Sequence, residues 1–573
     1  MQPNTCRTIT LIAACLFLTG TGTLWGQSPF DPRFQREASM IGERVVPFTD
    51  RTIYTVRECI RFRADCLQEG IPEGNRWSDV LYVELVAPDG RPVSQGKYPI
   101  RDGRSSGMLA IPSAALTGNY FLKCYTRWMR NRGAGNFSYI PLKIVNPFRE
   151  EMTPPPNGYP EGGLKAHPYM SGDLACTIAR KIYEPGEKVR VSLSAVPASR
   201  HTAVNWCMTV VPAGALDTCS GPVLTTKKDA PAGPFTVRYL PDRDGLSVSG
   251  SVIGSGGEPR SYAGVHLALL GGRPDYLPAV ADEYGRFVIP VPDRTGMLEM
   301  FVAPDPGEDP AEIRVDQDFD TEMIPLSAGT FRLTGREREM ATRMAVRMQL
   351  SGIYHPSPES GAGETLPDTL SRGLPFYGTP VRRIEIDDYV NLPNLEEMFI
   401  NLVPEVFVVR RKGVPELRIE SDNSGIGIYR PLITIDHIPV FDQKEVLGIV
   451  PEKIERIDVI NEVYLKGDLS FGGVIAIISR AGDMAGIDLG GGSYFFDFKA
   501  FSPGAPAPSP GEMDRIPDTR NTFLWLDHLE IEQNTTREIS FRAPADPGEY
   551  QVVVRGTAPG GALLLQAASF TVD

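Results

Sequence analysis

The sequence predicts a mainly β protein, with tandem β-sandwich domains and one small α+β domain. Short runs of residues alternate between apolar and polar, as in Val189, Val191 and Leu193, which is typical of half-buried strands. The 57 glycines and 51 prolines among 573 residues stay under the roughly 25% that indicates disorder, so they are interpreted as turn residues. Helical spacing is found in only a few runs.

Length and charge narrow the class of protein. A chain of 573 residues predicts about four domains. Its hydrophobic content of 42% is typical of globular proteins. The net charge of −13 argues against nonspecific nucleic-acid binding, which needs a basic face.

The first 26 residues are predicted to be an export signal. Arg7 precedes an apolar run, residues 9–18, that is too short to span a bilayer, and small residues lead to a cleavage point after Gly26. As an alternative, the run from Ile12 to Cys15 resembles a bacterial lipoprotein cleavage box. No later stretch is long and apolar enough for a transmembrane helix, so no integral membrane segment is expected after the signal is removed.

The six cysteines beyond the signal leave two interpretations open. An exported chain can form disulfides, and Cys59 could pair with Cys66. Alternatively, the cysteines are small apolar residues within strands. No C-x-x-C spacing is present, so neither a zinc cluster nor a thioredoxin-like redox site is expected.

Changes in pattern along the chain give the predicted domains. Pro-rich stretches mark the linkers, and the run 335–350 predicts a helix because Met340, Met344 and Met348 recur at spacing four. The methionine face is interpreted as packing against β structure, with a cofactor site as the alternative. A second helix is predicted from Asn394 to just before Pro404.

The predicted units are a β-sandwich at 28–150, a linker at 151–173, a second β unit at 174–244, a small β-sandwich at 245–330, a helix and loop at 331–383, an α+β domain at 384–485, a linker at 486–520 and a last β unit at 521–573.

Two segments begin alike. "TIYTVRECIRFRADC", from Thr52, and "KIYEPGEKVRVSLSAVP", from Lys181, align Tyr54 with Tyr183. Both resemble the start of macroglobulin-like domains of the α-2-macroglobulin family, and the resemblance covers roughly residues 40–240. It implies tandem β-sandwiches. The family's Cys-Gly-Glu-Gln thioester motif is absent, so covalent protease trapping is not implied.

Residues 245–330 resemble a second family. "ADEYGRFVIPV" and the segments before it resemble the carboxypeptidase regulatory-like domain, a small transthyretin-like sandwich. That resemblance implies no peptidase chemistry. The matching positions are Gly250, Gly264, Val265, Asp282, Gly285, Arg286 and Phe287.

Residues 384–485 resemble the plug domain of TonB-dependent outer-membrane receptors. The match includes "NLEEMFINLVPEV" and later positions in order. These are Leu395, Glu396, Glu397, Val403, Pro404, Ile435, Asp436, Pro439, Val440, Ile454, Glu455, Arg456, Ile457, Gly467, Gly473, Val474 and Ile475. Only 93 residues follow Arg480, too few for the roughly 22 strands of such a receptor's barrel. The order of these domains resembles a group of exported proteins of the Bacteroidetes.

Candidate catalytic motifs are few. "GRSSG", beginning at Gly103, fits G-x-S-x-G, but the strand pattern after it predicts a hairpin turn, not a nucleophile elbow. Asp387 and Asp388 could bind a cation, and a helix cap is the alternative. No catalytic, cofactor-binding or metal-ligating residue is predicted.

One segment is predicted to bind a partner. "EVFVVRRKGVPELRIESDN" carries Arg410, Arg411 and Lys412, followed by alternating charged and apolar residues that give one polar and one apolar face. A plug without a barrel must cover its surface in another way, and these charges indicate a solvated surface open to a partner.

The sequence therefore predicts a non-enzymatic binding, scaffold or transport-accessory protein of the cell envelope, in the periplasm or at the outer membrane. Its expected partners are other envelope proteins. The alternative is an outer-membrane TonB-dependent transport component whose plug-like domain engages a barrel on another chain. A hydrolase is the third hypothesis, which no catalytic constellation supports.

Overall fold

The computed structural model describes residues 30–71, 76–154, 167–171, 174–195, 206–219, 221–223, 235–307, 310–324, 329–354, 375–390, 392–421, 425–503, 518–531, 535–558 and 561–573. The predicted export signal with Cys15 lies outside these residues, as does most of both Pro-rich linkers. The prediction of a mainly β fold is confirmed, since nine small sheets account for most of the regular structure in these described residues.

The first sandwich follows a short helix, α1 (Gln35–Met40). Its strands are β1 (Gly42–Thr49), β2 (Ile53–Thr55), β3 (Cys59–Glu69), β4 (Val80–Val86), β5 (Pro92–Pro99), β6 (Arg104–Ala110), β7 (Gly118–Tyr125) and β8 (Ser138–Val145). They form the sheets β1-β3-β6 and β2-β8-β7-β4-β5. Alternate residues of β3 point inward, so Phe62 meets Tyr98 of the facing sheet edge-on, with ring centroids 4.7 Å apart.

The second sandwich is assembled from two distant parts of the chain. One part supplies β9 (Met170–Ser171), β10 (Leu174–Ile178), β11 (Ile182–Tyr183), β12 (Lys188–Ala195) and β13 (Trp206–Pro212). The other part supplies β30 (Leu524–Leu529), β31 (Thr536–Arg542), β32 (Gly548–Thr557) and β33 (Leu563–Val572). The strands between these two parts belong to the two modules described next. The sheets are β10-β12-β31 and β11-β33-β32-β13-β30, with β9 on β33. The predicted units 174–244 and 521–573 thus share both sheets, because neither part has enough strands to cover its own apolar face.

The third module is a smaller sandwich. Its strands are β14 (Ser247–Gly254), β15 (Gly264–Leu269), β16 (Asp275–Val280), β17 (Arg286–Pro290), β18 (Met297–Pro304), β19 (Ala311–Val315) and β29 (Tyr494–Lys499). The sheets are β17-β14-β19 and β16-β15-β18-β29. Strand β29 comes from the segment 486–520, which was predicted as a linker. It joins the sheet because Phe498 is buried in the core.

The α+β module holds the remaining strands and two helices. These are β20 (Arg382–Glu385), α3 (Leu395–Leu402), β21 (Val406–Arg411), β22 (Val414–Ile419), β23 (Leu432–Ile435), β24 (Ile438–Pro439), α4 (Gln443–Leu447), β25 (Ile454–Ile460), β26 (Tyr464–Lys466), β27 (Leu469–Phe471) and β28 (Val474–Ser479). The main sheet is β20-β25-β28-β23-β24, and β21-β22 and β26-β27 are separate hairpins. The side chain of Asn394 caps α3 by accepting from the amide of Glu397 at 3.0 Å, so this helix begins where the sequence predicts.

The remaining helix, α2 (Gly335–Tyr354), confirms the packing interpretation of the methionines. Met340 and Met344 are buried in a cluster with Ile53, Val211 and Val553, which belong to the first and second sandwiches. The spacing of four therefore reflects contact with β structure. Among the described residues, no helix combines the length and the apolar character needed to cross a membrane.

The disulfide interpretation of Cys59 and Cys66 is wrong. Both residues lie on strand β3, seven positions apart, which in an extended chain separates them by about 23 Å. A disulfide requires Cα atoms within about 7 Å. All six cysteines beyond the predicted signal are free thiols.

Candidate interaction surface

A hairpin projects from the α+β module apart from its main sheet. Strands β21 and β22 are joined by a two-residue turn in which Lys412 has φ 50° and Gly413 has φ 83°. Positive φ at both positions is typical of the type I′ turn, whose twist matches that of a β-hairpin. Val406, Leu417 and Ile419 are buried and fix the hairpin to the module's core.

The opposite side of the hairpin carries an excess of positive charge. The carboxylate of Glu416 lies 3.0 Å from the guanidinium of Arg418 and 4.0 Å from those of Arg411 and Arg430. The side chains of Arg411 and Arg430 are 69% and 73% exposed, whereas Glu416 is 20% exposed. One carboxylate neutralises one of the three cations, and Lys412 adds a fourth.

Apolar side chains are exposed among these charges. Phe407 lies opposite Arg418 in the hairpin, and Val409 lies opposite Glu416. The short 3-10 helix Ile426–Ile428 continues the surface, and Arg418 donates to the carbonyl oxygen of Tyr429 at 3.4 Å. We call this surface the hairpin face; it consists of Phe407, Val409, Arg411, Lys412, Val414, Glu416, Arg418, Ile428, Tyr429 and Arg430.

The structure separates the three residues predicted to bind a partner. Arg411 and Lys412 belong to the hairpin face. Arg410 is directed to the other side, where its guanidinium pairs with Glu396 of α3 and so ties the hairpin to that helix. Sequence reasoning missed Arg430 and the apolar pair Ile428 and Tyr429. They lie on a separate segment whose sequence shows neither a run of charges nor an alternation of apolar and polar residues.

The other candidate positions are occupied by structural contacts. The carboxylate of Asp387 makes two hydrogen bonds with Arg480, at 2.5 and 3.2 Å, and these lower the pKa of Asp387. Neither it nor Asp388 caps a helix through its side chain, because both lie inside a 3-10 turn. At Gly103 a turn leads into strand β6, which pairs with β3, so the strand–turn–helix context of a nucleophile elbow is not formed there.

No metal centre is visible in the described part of the chain. There, no group of three or more His, Cys, Asp or Glu side chains has the geometry to hold an ion.

Comparison with known proteins adds little to these observations. No family model and no curated protein sequence matches the chain. Among solved structures, Escherichia coli α-2-macroglobulin activated by porcine elastase aligns with a TM-score of 0.22 and 9% identity, over 93% of this chain and 44% of that one. Salmonella α-2-macroglobulin reacted with methylamine gives a TM-score of 0.23 and 9% identity, over 92% and 39%. Dimeric latent PorU from Porphyromonas gingivalis gives 0.16 and 11%, over 48% and 33%.

The chain thus spans less than half the length of these macroglobulins. TM-scores this low carry no argument about family or function. The architecture described above is therefore argued from strand pairing and burial alone.

Proposed function

We propose that this chain is a non-enzymatic binding and scaffold protein of the bacterial cell envelope, exported to the periplasm or the outer membrane, and that the hairpin face binds its partner. One observation carries the proposal. On a chain with net charge −13, exposed apolar residues and an excess of arginine and lysine share one surface. Apolar area supplies affinity, and charge supplies orientation and partner choice.

The contacts between modules support a scaffold role. Between the first sandwich and the third module, Arg127 lies 3.0 Å from Asp242 and Arg130 lies 3.1 Å from Asp320. All four side chains are nearly inaccessible to water. Any other packing of the same surfaces would leave these charges buried and unpaired, which costs about 3–5 kcal/mol for each pair that is broken. The two modules are therefore held in one arrangement.

Similar contacts fix the other modules. Arg63 of the first sandwich donates to the carbonyl oxygens of Trp206 and Asp527 in the second sandwich, at 2.7 and 2.8 Å. Lys466 of the α+β module lies 2.7 Å from Asp275 of the third module. The hairpin face is thus presented from a supported position, as a docking surface requires.

The test is capture of envelope proteins by the mature full-length chain and by two variants. Arg411→Glu combined with Arg430→Glu reverses the charge of the hairpin face. Arg190→Glu is the control, because Arg190 is also largely exposed, at 60%, and lies on the second sandwich. The partner captured by the unmodified chain is expected to be retained by the control and lost by the double variant. Capture should also weaken between 0.1 M and 1 M salt, because the Debye length falls from about 10 Å to about 3 Å.

The identity of the captured protein separates the two functional hypotheses. An outer-membrane barrel protein would favour the transport component with its barrel on another chain. A partner retained equally by both variants would refute the hairpin face as the binding surface.

A further inference from the structure

A cavity of about 410 Å³ lies where the first sandwich meets the third module. Helix α1, the 3-10 helix Trp128–Arg132, the segment before β14 and strand β17 surround it. It is distant in sequence from the hairpin face and shares no residue with it. Its walls are predominantly apolar and include Phe34, Ile41, Trp77, Trp128, Leu240 and Val288.

The aromatic walls are already packed against each other. The indoles of Trp77 and Trp128 meet edge-on with centroids 5.2 Å apart, and Trp128 also contacts Phe235 at 5.8 Å. The guanidinium of Arg243 lies over Trp77, 5.6 Å from its centroid. Such rings present flat apolar surface at fixed positions, and they keep these positions without a ligand.

Side chains of the 3-10 helix Trp128–Arg132 form hydrogen bonds with the backbone on both sides of the cavity. On one side, Trp128 and Arg132 both donate to the carbonyl oxygen at the C-terminal end of α1, Ile41, at 3.3 Å. On the other side, the amide of Asn131 donates to the carbonyl oxygen of Tyr239 at 2.7 Å and accepts from its N–H at 2.9 Å. Both walls are therefore anchored to the same 3-10 helix.

The floor is fixed by a buried network centred on Asp242. Its carboxylate accepts from Ser247 at 2.7 Å and from the hydroxyl of Tyr82 at 3.0 Å. Arg127 donates to both oxygens of Ser247, at 2.6 Å (Oγ) and 2.9 Å (O). A cavity with a fixed floor and walls is largely pre-formed, as small-molecule sites usually are.

We infer that this cavity binds a small uncharged apolar molecule. Its volume falls within the roughly 300–1,000 Å³ of ligand pockets and exceeds the roughly 150 Å³ that accommodates benzene, so a ligand of two or three rings fits. The charged side chains, Glu37, Arg243 and Asp244, are exposed at the rim and sum to one negative charge. An anion gains no net attraction there, and any ionic group loses hydration against the apolar walls. This inference is independent of the hairpin face.

The test uses two fluorescent probes with the same ring system. N-phenyl-1-naphthylamine is uncharged, and 8-anilino-1-naphthalenesulfonate carries an added sulfonate. Titration of the mature chain is expected to show saturable, blue-shifted emission at one site with the uncharged probe, binding at least tenfold weaker with the sulfonate, and a rise in Tm with the uncharged probe. Equal binding of both probes, or no saturable binding of the uncharged one, would overturn the inference.

Variants at Val288 locate the probe. Val288 lies on the face of β17 opposite the buried residues Phe287 and Ile289, so its side chain can change without entering the core. Val288→Trp fills the cavity and should weaken binding at least tenfold, whereas Val288→Thr keeps its volume and should stay within about threefold. Ala38→Phe fills the cavity from α1 and replaces the first variant if that one fails to fold. Undiminished binding in a folded filling variant would refute the site.

Discussion

Replacing Lys97 by methionine is expected to change how the free energy of unfolding depends on pH. Lys97 lies on β5 and is 0% exposed, while its partner Asp318, 2.7 Å away in the third module, is 25% exposed. The ammonium also lies 3.7 Å from the ring centroid of Phe498. Methionine fills a similar volume and needs no counterion.

The magnitude follows from the burial of the ammonium. Burial lowers the pKa of Lys97 from 10.5 to about 8, although the nearby Asp318 acts in the opposite direction. At about 1.36 kcal/mol per pH unit, this difference corresponds to roughly 3 kcal/mol between the charged and neutral forms. Lys97→Met removes the buried ammonium but leaves the carboxylate of Asp318 without its partner, and removal of one member of a buried pair is destabilising. The informative quantity is therefore the change with pH in the difference between the two chains.

The sign of the pH dependence is fixed by proton uptake. Between pH 8 and 10.5 the unfolded chain keeps the Lys97 proton and the folded chain has released it, so the unfolded state binds more protons. Stability then rises with pH through this window. From pH 7 to 10.5, the free energy of unfolding of the unmodified chain should therefore rise by up to roughly 3 kcal/mol relative to that of Lys97→Met.

Urea unfolding of both chains at pH 7, 8, 9 and 10 measures this difference directly. Other titrating groups, including the buried tyrosines, are common to both chains and cancel in the comparison. Lys188→Met is the control, because Lys188 is exposed on β12 and should give a flat difference. A flat difference for Lys97→Met as well would refute the assignment of a strongly lowered pKa to this ammonium.

Three further predictions follow from burial. Ile435→Asp should unfold the α+β module, seen as a lost transition in calorimetry, because it replaces about 1.5–3 kcal/mol of apolar burial with an unpaired buried charge. Met344→Ala should lower the free energy of unfolding by about 2–5 kcal/mol, while Val346→Ala on the exposed side of α2 should stay within about 0.5 kcal/mol; equal effects would contradict the packing of α2. Alkylation of the native chain followed by mass spectrometry should label the exposed Cys219 and spare Cys207, because burial raises the pKa of the Cys207 thiol; rapid labelling of Cys207 would contradict the β13 environment.

Individual strands could be predicted from the sequence because the alternation of apolar and polar residues that defines them lies within a few neighbouring residues. Val189, Val191 and Leu193 alternate in β12 and are buried, as the pattern requires. Strand β29 shows the same signal in Phe496 and Phe498, within a segment interpreted as a linker. The alternation was readable there, and its six residues are enough for a strand.

Only part of the interaction surface was predicted, because only part of it is formed by residues that are adjacent in sequence. Arg411 and Lys412 are adjacent in sequence and mark the hairpin tip, so a charge run locates them. Arg410 has an equally basic side chain, but strand alternation turns it toward Glu396 on another element. Arg430 reaches Glu416 only after the chain has turned back through residues 426–428. Neither of these two ion pairs corresponds to a residue pattern of fixed spacing in the sequence.

The pairing of strands that are hundreds of residues apart could not be predicted from any local pattern in the sequence. Val191 of β12 pairs with Ile539 of β31, and Val210 of β13 pairs with Val552 of β32. Alternation shows that each strand has one apolar face, and it cannot say which other strand covers that face. The third and α+β modules lie between the two halves of the second sandwich in the chain, so that sandwich can close only after its last strands join. Such long-range pairing is slow, because the loop-closure entropy is lost before the contacts form. We therefore expect the second sandwich to be the last part of the chain to fold.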